Sequence, residues 1–298
     1  MSLVINHNMM AMNAARNLSQ SYGNLSVSTR RLSSGLRVGT AADDAAGLAI
    51  RELMRADIAS LNQGMRNAND AISMIQTADG ALQVIDEKLI RMKELAEQAA
   101  TGTYTSDQRL IIDSEYQAMA SEITRIANAT DFNGIYLLNG NLSSDQFQGS
   151  GLQSSGKLKV HFGSGNDSAE DYYYIQIGNS TASALGVGNQ SDPALGGGYS
   201  ISTQEGAQSS LDAINKAIVS KDKIRASLGA LQNRLENTIT NLSIQAENLQ
   251  AAESRVSDVD VAQEMTEFVR NQILTQSAVA MLAQANQLPQ MAMQLMQG

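Results

Sequence analysis

The chain of 298 residues has no cysteine, no tryptophan and only two prolines, Pro193 and Pro289. Without cysteine it can form no disulfide, no thiolate metal site and no cysteine nucleophile. Because the first proline is at position 193, residues 1–192 contain no obligatory helix breaker. Aromatic residues make up 4% of the chain, which favours narrow seams between helices over a thick globular core.

Catalytic and metal-binding side chains are equally scarce. His7 and His161 are the only histidines, so no metalloprotease motif, Ser-His-Asp triad or histidine metal cluster can be written from this sequence. The adjacent carboxylates Asp43 and Asp44 are better explained as helix caps than as an acid/base pair. We therefore expect no catalytic residue, no metal and no cofactor.

The formal net charge is −9, and no run of lysine and arginine interrupts the acidic balance, which argues against nucleic-acid binding. Residues 271–298 contain no ionisable side chain at all, and residues 1–15 contain only His7. Nine Asn or Gln residues in the closing segment exclude a membrane span. The opening lacks the basic and apolar parts of a cleaved export signal, so we expect export without one.

Coiled-coil spacing predicts long helices in both halves. Residues 44–100 are expected to form one helix capped by Asp43 or Asp44, and a second helix is expected to start at Ser106 or Asp107 and return antiparallel. Steps of three and four residues mark the seams. In the first half the seam is Leu61, Met65, Ala68, Ile72, Ile75, Ala78, Leu82, Ile85, Leu89, Met92, Ala96 and Ala99; in the second it is Leu228, Leu231, Leu235, Thr238, Leu242, Gln245, Leu249, Ala252, Val256 and Val259.

The middle of the chain has a different character. Between Gly134 and Gly206 lie 14 of the 23 glycines, together with two alternating stretches, KLKVHF and YYYIQI, that predict a β-hairpin with room for a few extra strands. The small polar run at residues 183–200 is predicted to be a loop that faces solvent.

These patterns predict a mainly α fold with a small β-hairpin region, long antiparallel coiled-coil helices, and paired N- and C-terminal segments. We expect five parts: 1–43, 44–177, 178–205, 206–258 and 259–298. The first and last are terminal helices, 178–205 is a short variable excursion, and the others form the coiled coil with its hairpin.

The two uncharged ends are the candidate functional elements. Their predicted apolar positions are Leu3, Ile5, Leu18, Leu25 and Leu32 at one end, and Val261, Met265, Phe268, Val279, Leu282, Leu288 and Leu295 at the other. A surface helix of a monomer displays Lys and Glu on its wet face, whereas these helices offer amides and hydroxyls. This favours contacts with other chains. An ordinary core position and disorder that resolves on assembly stay open as alternatives.

Three long blocks, in order, resemble the bacterial flagellins. They are MSLVINHNMMAMNAARNL, SSGLRVGTAADDAAGLAI, and NLSIQAENLQAAESRVSDVDVAQEMTEFVRNQILTQSAVAMLAQANQLPQ. The resemblance implies a secreted subunit of the swimming filament. Its terminal helices would form the inner D0 layer around a bore, and its coiled coil, with a hairpin near residues 132–177, would form the D1 layer. The large D2 and D3 domains are missing, which makes this a short form.

The resemblance also implies partners. They are further copies of the chain joined head to tail in an open helical filament, an export chaperone and export apparatus, and the hook-associated junction and cap proteins. The segment LIRMKELAEQA resembles the patch that Toll-like receptor 5 reads in many flagellins, with Arg91, Glu94 and Leu95 at the matching positions. Solvated helix residues are the simpler reading of Arg91 and Glu94 taken alone.

Three rival functions stay open from the sequence. A hook-filament junction protein would share terminal helices of this type but would not form long filaments. A translocator that inserts these helices into membranes is disfavoured by their amides. An enzyme would need activity located in residues 134–206.

Overall fold

The computed structural model describes residues 8–144, 156–168, 170–188 and 200–297, with side chains left undescribed at 288–290 and 292–297. Within these ranges the chain forms five helices and two antiparallel two-stranded sheets. The helices are α1 (Met9–Ser34), α2 (Ala45–Ala100), α3 (Ser106–Ala129), α4 (Gln204–Ser257) and α5 (Val261–Gln297); the strands are β1 (Asp131–Phe132), β2 (Ile135–Tyr136), β3 (Leu158–His161) and β4 (Tyr172–Ile175). The predicted fold class is confirmed.

The chain divides into two compact units. The terminal unit contains Met1–Ile58 and Glu247–Gly298, and the central unit contains Ala59–Ala246. The first carries the uncharged ends of the chain, and the second carries most of the apolar core.

The core of the central unit forms where α2, α3 and α4 pack together. All twelve predicted seam positions of α2 are buried or half-buried, and Ile75, Leu82 and Leu89 are at most 1% exposed. They join one cluster with Ile123 of α3 and Leu228 of α4. The seam predicted for α4 is confirmed except at Gln245, which is exposed while its neighbour Ala246 is buried.

Ion pairs show the direction and register of α2 against α4. Arg225 Nε donates to Asp79 at 2.7 Å, and Lys221 Nζ lies 2.5 Å from Asp86. Because the α2 numbers rise while the α4 numbers fall, the helices run antiparallel, as predicted. Lys221 is 1% exposed, and its ammonium is shared with Asp222 at 2.8 Å. Desolvation offsets much of the attraction in such a buried pair, so its main effect here is to fix the register.

The helix caps agree with the sequence in one case and differ in the other. Asp44 precedes α2, and its carboxylate accepts from the Gly47 amide at 2.9 Å, as predicted. The predicted cap of α3 at Ser106 or Asp107 is wrong. Thr105 is the N-cap, because its hydroxyl accepts from the amide of Gln108 while the Gln108 side chain accepts from the amide of Thr105.

The β region contains two hairpins. The β1–β2 turn places Asn133 and Gly134 at φ of 52° and 79°, the conformation that a two-residue type I′ turn requires. The β3–β4 pair aligns Leu158 with Ile175 and Val160 with Tyr173. The predicted hairpin is thus confirmed, and the extra strands allowed for in the sequence form a second, shorter one.

The predicted solvent-facing loop is wrong for residues 185–188, whereas Ser183 and Ala184 are exposed as predicted. Leu185 is 6% exposed and Val187 is fully buried, and both belong to the core cluster. Gly188 (φ 85°) lies so close to Ala120 that a Cβ added there would be 2.2 Å from the Ala120 Cβ. The two aliphatic side chains are enough to hold this short segment against α3; residues 189–199 lie outside the described part of the chain.

The loop after β3 approaches α2 at a glycine. A Cβ built on Gly64 would lie 1.9 Å from the carbonyl oxygen of Phe162, and Phe162 itself is 2% exposed. One turn further along α2, Asn67 Nδ2 donates to the His161 carbonyl at 2.8 Å. Gly64 therefore permits a backbone contact that no other residue type would allow.

We predict that Gly64→Ala lowers the free energy of unfolding by about 1–3 kcal/mol, because the backbone of the docked loop must move away. Gly80→Ala is the matched control on the same helix, where an added Cβ meets nothing within 4 Å. It should raise stability by roughly 0.5–1 kcal/mol through helix propensity. Chemical unfolding of both variants checks this, and equal effects would contradict the assigned contact.

A candidate self-assembly surface

Helices α1 and α5 pack side by side in the terminal unit. At one end Asn8 Nδ2 donates to the Ala285 carbonyl at 2.7 Å, and at the other Arg31 lies 3.6 Å from Glu264. A single β-bridge between Leu36 and Asp258 follows. Residue numbers rise along α1 while the numbers of the contacting residues in α5 fall, so the two helices are antiparallel. The predicted pairing of the two ends of the chain is confirmed.

The seam between α1 and α5 has heptad spacing but a mixed composition. Its α1 side is Ala11, Ala14, Leu18, Ser21, Leu25, Ser28 and Leu32, and its α5 side is Glu264, Phe268, Asn271, Thr275, Ala278, Leu282 and Ala285. Five residues predicted for polymerisation, Leu18, Leu25, Leu32, Phe268 and Leu282, therefore lie in this intrachain seam. The site predictions Leu3 and Ile5 lie outside the described residues, and the side chains of Leu288 and Leu295 are not described.

Beside two polar seam positions, the outer side of α5 carries two exposed aliphatic side chains. Asn271 and Thr275 are each 7% exposed, whereas Ile273 and Leu274 between them are 56% and 48% exposed. Helix α5 thus places two polar side chains inside and two aliphatic ones outside. This is the reverse of the arrangement that stabilises a helix on the surface of a monomer.

The exposed aliphatic residues of α5 form an ordered row. Val261, Met265, Val269 and Ile273, which we call the outer row, follow one another at four-residue steps and are 43–59% exposed. A row with this spacing is a ridge of the kind that packs into grooves of another helix. Sequence reasoning found Val261 and Met265 and missed Val269 and Ile273, although the four-residue spacing was available as a signal.

Further large apolar side chains are exposed elsewhere on the terminal unit. All are 48–68% exposed: Met9, Met10, Met12, Tyr22, Ile50, Leu53, Leu274, Val279, Met281 and Met291. Scattered exposed aliphatic residues are normal on monomers, but so many on one pair of helices and its junction mark an interaction surface.

Charges in the terminal unit concentrate near the α1–α2 junction. Asp43 accepts from the Thr40 hydroxyl at 2.8 Å and from Arg30 Nη2 at 2.7 Å. The Thr40 hydroxyl, followed by the Thr40 amide and the Arg30 charge, holds the pKa of the Asp43 carboxyl below its usual value of 3.8. Asp43 is therefore ionised at neutral pH. Beyond Arg270 no residue of α5 carries charge, so the outer row leads into a neutral surface.

An open groove of about 760 Å³ runs between α1 and α5. Its lining combines Met10, Leu274 and Met281 with the amides of Asn13, Asn17 and Gln284. The described residues contain no cluster of three or more His, Cys, Asp or Glu side chains that could hold a metal. In the same part of the chain, none of the helices has the length and hydropathy needed to cross a bilayer.

The predicted receptor patch is partly surface and partly core. Arg91 is exposed and donates to Glu94 at 2.9 Å and to Glu115 of α3 at 2.8 Å. Leu95 is 2% exposed and packs in the core cluster, so it presents no surface for a partner and its inclusion is corrected. Glu115 was missed because it meets Arg91 only through the fold, at a separation of 24 residues.

A helix pair with a partly polar seam, an apolar outer ridge and no charge along most of α5 is typical of a subunit that packs against other protein chains. Comparison with known proteins identifies the assembly. The family model for the bacterial flagellin N-terminal helical region matches residues 5–143, and that for the C-terminal helical region matches residues 211–296.

Curated relatives match along their whole length. The 33 kDa flagellar filament core protein of Treponema phagedenis is 42% identical over 99% of this chain and 100% of that protein. The flagellin of Halalkalibacterium halodurans gives the same identity and coverage, and that of Bacillus subtilis is 42% identical over 98% of this chain and 99% of its own. A candidate hook-associated protein structure from Vibrio parahaemolyticus (17% identity, TM-score 0.54, 72% of this chain and 100% of that one) shares the fold.

The chain belongs to the bacterial flagellins and is a short member of that family. It is a structural subunit of the flagellar filament, an extracellular appendage that polymerises from copies of its subunit. The family is structural rather than enzymatic.

Proposed function

We propose that the terminal unit is the polymerisation element and that the outer row of α5 is its main contact with neighbouring subunits. The carrying observation is the inversion of α5, which buries Asn271 and Thr275 and exposes Ile273 and Leu274. The contact is heterologous, with the outer row meeting a different surface of the next copy, so that addition of subunits does not close.

The free energies involved indicate that contact with one neighbouring subunit is not enough to stabilise the filament. The four outer-row side chains are 43–59% exposed, so covering them contributes about half of the 1.5–3 kcal/mol that full burial gives each, roughly 3–6 kcal/mol together. The loss of translational and rotational freedom on association costs about 4–15 kcal/mol. The gain does not clearly exceed the cost, so a stable filament needs contacts from the further exposed residues of α1 and α5 with more than one neighbour.

The amides of the terminal unit then have a separate role. We propose that the neutral face of α1 and α5 lines the bore through which new subunits travel. Charged walls in a confined space would hold passing chains electrostatically, and apolar walls would bind them through burial of side chains. Asn and Gln side chains minimise both kinds of adhesion and keep the bore hydrated.

The layer assignment follows as part of the same proposal. Residues 1–43 and 259–298 form the inner layer, residues 44–177 and 206–258 form the surrounding layer with its hairpins, and residues 178–205 form the short excursion. The polymerisation residues are the outer row together with Val279, while Leu18, Leu25, Leu32, Phe268 and Leu282 act by holding the helix pair together.

The exposed apolar surface also implies protection before assembly. A chain that displays such a surface would aggregate at the concentrations of export. We therefore propose that an export chaperone covers the terminal unit, that the export apparatus carries the chain through the flagellar channel, and that junction and cap proteins meet the same surfaces at the two ends of the filament.

We predict that Ile273→Lys leaves the helical content of the monomer unchanged and raises the critical concentration for polymerisation at least about tenfold, because an unpaired charge would be buried between subunits. Ile273→Leu, which keeps the side chain apolar, is the matched control and should polymerise as the wild type does. Sedimentation and electron microscopy of filaments provide the measurement.

Normal assembly of Ile273→Lys would refute the proposed contact. Failure of the wild-type chain itself to form long filaments under the same conditions would instead favour the hook-filament junction alternative.

A second proposal concerns the monomer. We propose that Toll-like receptor 5 recognises the surface formed by Arg91, Glu94 and Glu115, with Ile90 beside them. Arg91 spans α2 and α3 through its two carboxylate contacts, and Ile90 is 49% exposed, which gives the charged trio an apolar neighbour. Arginine is among the residue types enriched at the positions that contribute most of the binding energy of an interface.

We predict that Arg91→Ala reduces receptor activation by monomer at least about tenfold, the equivalent of roughly 1.4 kcal/mol. Arg125→Ala is the matched control, since Arg125 forms a similar exposed pair with Glu122 three residues earlier on α3. A reporter-cell dose response gives the readout. Equal responses of the two variants would remove the receptor proposal and leave the filament proposal untouched.

A further inference from the structure

Helix α5 contains a proline inside its length. Pro289 lies within Val261–Gln297, eight residues before the end of the helix. Proline has no backbone N–H, so the donor that a regular α-helix would supply to the carbonyl of Ala285, four residues earlier, does not exist. Ala285 is 7% exposed, so this carbonyl also has limited access to water. A polar group in that position needs another donor.

Asn8 supplies that donor. Its Nδ2 donates to the Ala285 carbonyl at 2.7 Å across the helix pair. Its Oδ1 accepts from the Ala11 amide at 3.0 Å and so caps the start of α1. The amide orientation follows from chemistry, because only the nitrogen can donate to a carbonyl and only the oxygen can accept from an N–H.

The identity of residue 8 follows from these two contacts. Serine or aspartate would cap α1 equally well, but neither provides an amide donor alongside the capping oxygen. Asparagine provides both on one side chain. The proline of α5 and the asparagine of α1 are thus complementary. The proline removes a hydrogen-bond donor from the Ala285 carbonyl, and the asparagine supplies one.

The apolar part of the seam does not by itself specify a unique register, and the contacts that do so, Arg31 with Glu264 and the Leu36–Asp258 bridge, lie at the far end of α1 from Asn8. Leu18, Leu25 and Leu32 repeat every seven residues, and small residues such as Ala11, Ala14 and Ala278 pack in several alignments. A one-turn slip of α1 would move its exposed methionines by about 5.4 Å relative to the outer row. In coiled coils such ambiguity is resolved by single polar pairs.

We propose that Asn8 and Pro289 form a register lock that positions α1 on α5, and thereby aligns the apolar surfaces of the two helices for subunit addition. Asn8 is a positioning residue, acting through the alignment rather than by touching a neighbouring chain. The inference rests on the proposed role of the terminal unit in polymerisation.

A double-mutant cycle in the full-length chain tests the lock. Asn8→Ser keeps a neutral cap, but its hydroxyl lies one bond closer to the backbone than Nδ2 and does not reach the Ala285 carbonyl, so the critical concentration should rise about fivefold, the value of one lost hydrogen bond of about 1 kcal/mol. Pro289→Ala restores the missing N–H to the Ala285 carbonyl. In that background Asn8→Ser should change the critical concentration less than twofold, a rescue that a capping role alone would not produce.

Hydrogen exchange in assembled filaments gives a second readout. The amides of the first turn of α1 should exchange faster in Asn8→Ser than in the wild type, and Pro289→Ala should cancel that difference. An equal effect of Asn8→Ser with proline or alanine at position 289, in both measurements, would overturn the lock. Ile273→Lys, run in the same series, separates the hypotheses: its normal assembly would defeat the polymerisation surface, whereas the coupling between positions 8 and 289 would still be read from exchange.

Discussion

The terminal unit depends on one constraint, the way in which α5 distributes its side chains. Its seam with α1 places the polar Asn271 and Thr275 among Phe268, Leu282 and small residues, while Val269, Ile273 and Leu274 remain in contact with solvent. No rotation of α5 about its axis would bury both sets against a single partner helix. The isolated pair therefore keeps an apolar surface that only other protein can cover, and the neutral polar character of the remaining surface allows a bore to form without strong adhesion.

The central unit, in contrast, buries its apolar side chains within its own chain. Its three helices share a continuous apolar core in which Leu82, Ile85 and Leu89 have no exposed surface. Burial also raises the pKa of the Tyr116 hydroxyl well above its ordinary value of 10, so this side chain stays neutral in the core. The ion pairs from Arg225 and Lys221 fix the helix register. A unit built in this way is stable without contacts to other chains. This suits a layer that keeps its structure before the terminal unit has bound its partners.

Much of this was predictable from spacing alone. Heptads predicted α2 and α4 and their burial almost residue by residue, because apolar side chains at steps of three and four can only meet on one helix face. The Asn133–Gly134 turn and the alternation in β3 and β4 likewise carried local signals. These elements form because local preference and long-range packing agree.

The incorrect predictions concern residues whose burial or contacts are set by long-range packing and not by the local sequence pattern. Leu95 reads as a neighbour of Arg91 and Glu94 in sequence, but helical geometry directs it to the core beside Met92 and Ala96. Residues 185–188 have a loop composition and are nevertheless buried or half-buried, because Leu185 and Val187 join the core cluster. The seam of α5 could not be predicted from hydropathy, since it includes the polar Asn271 and Thr275 while Ile273 and Leu274 are exposed. The contact of Asn8 with Ala285 joins residues 277 positions apart.

The most direct test uses the natural absence of cysteine. A single cysteine in place of Ile273 can be labelled with a maleimide in the monomer and in the assembled filament, and a cysteine in place of Asn271 serves as the buried comparison. The account predicts fast labelling at position 273 in the monomer, strong protection in the filament, and slow labelling at position 271 in both. If position 273 reacts equally fast in the filament, α5 does not use its outer row between subunits and the account is wrong.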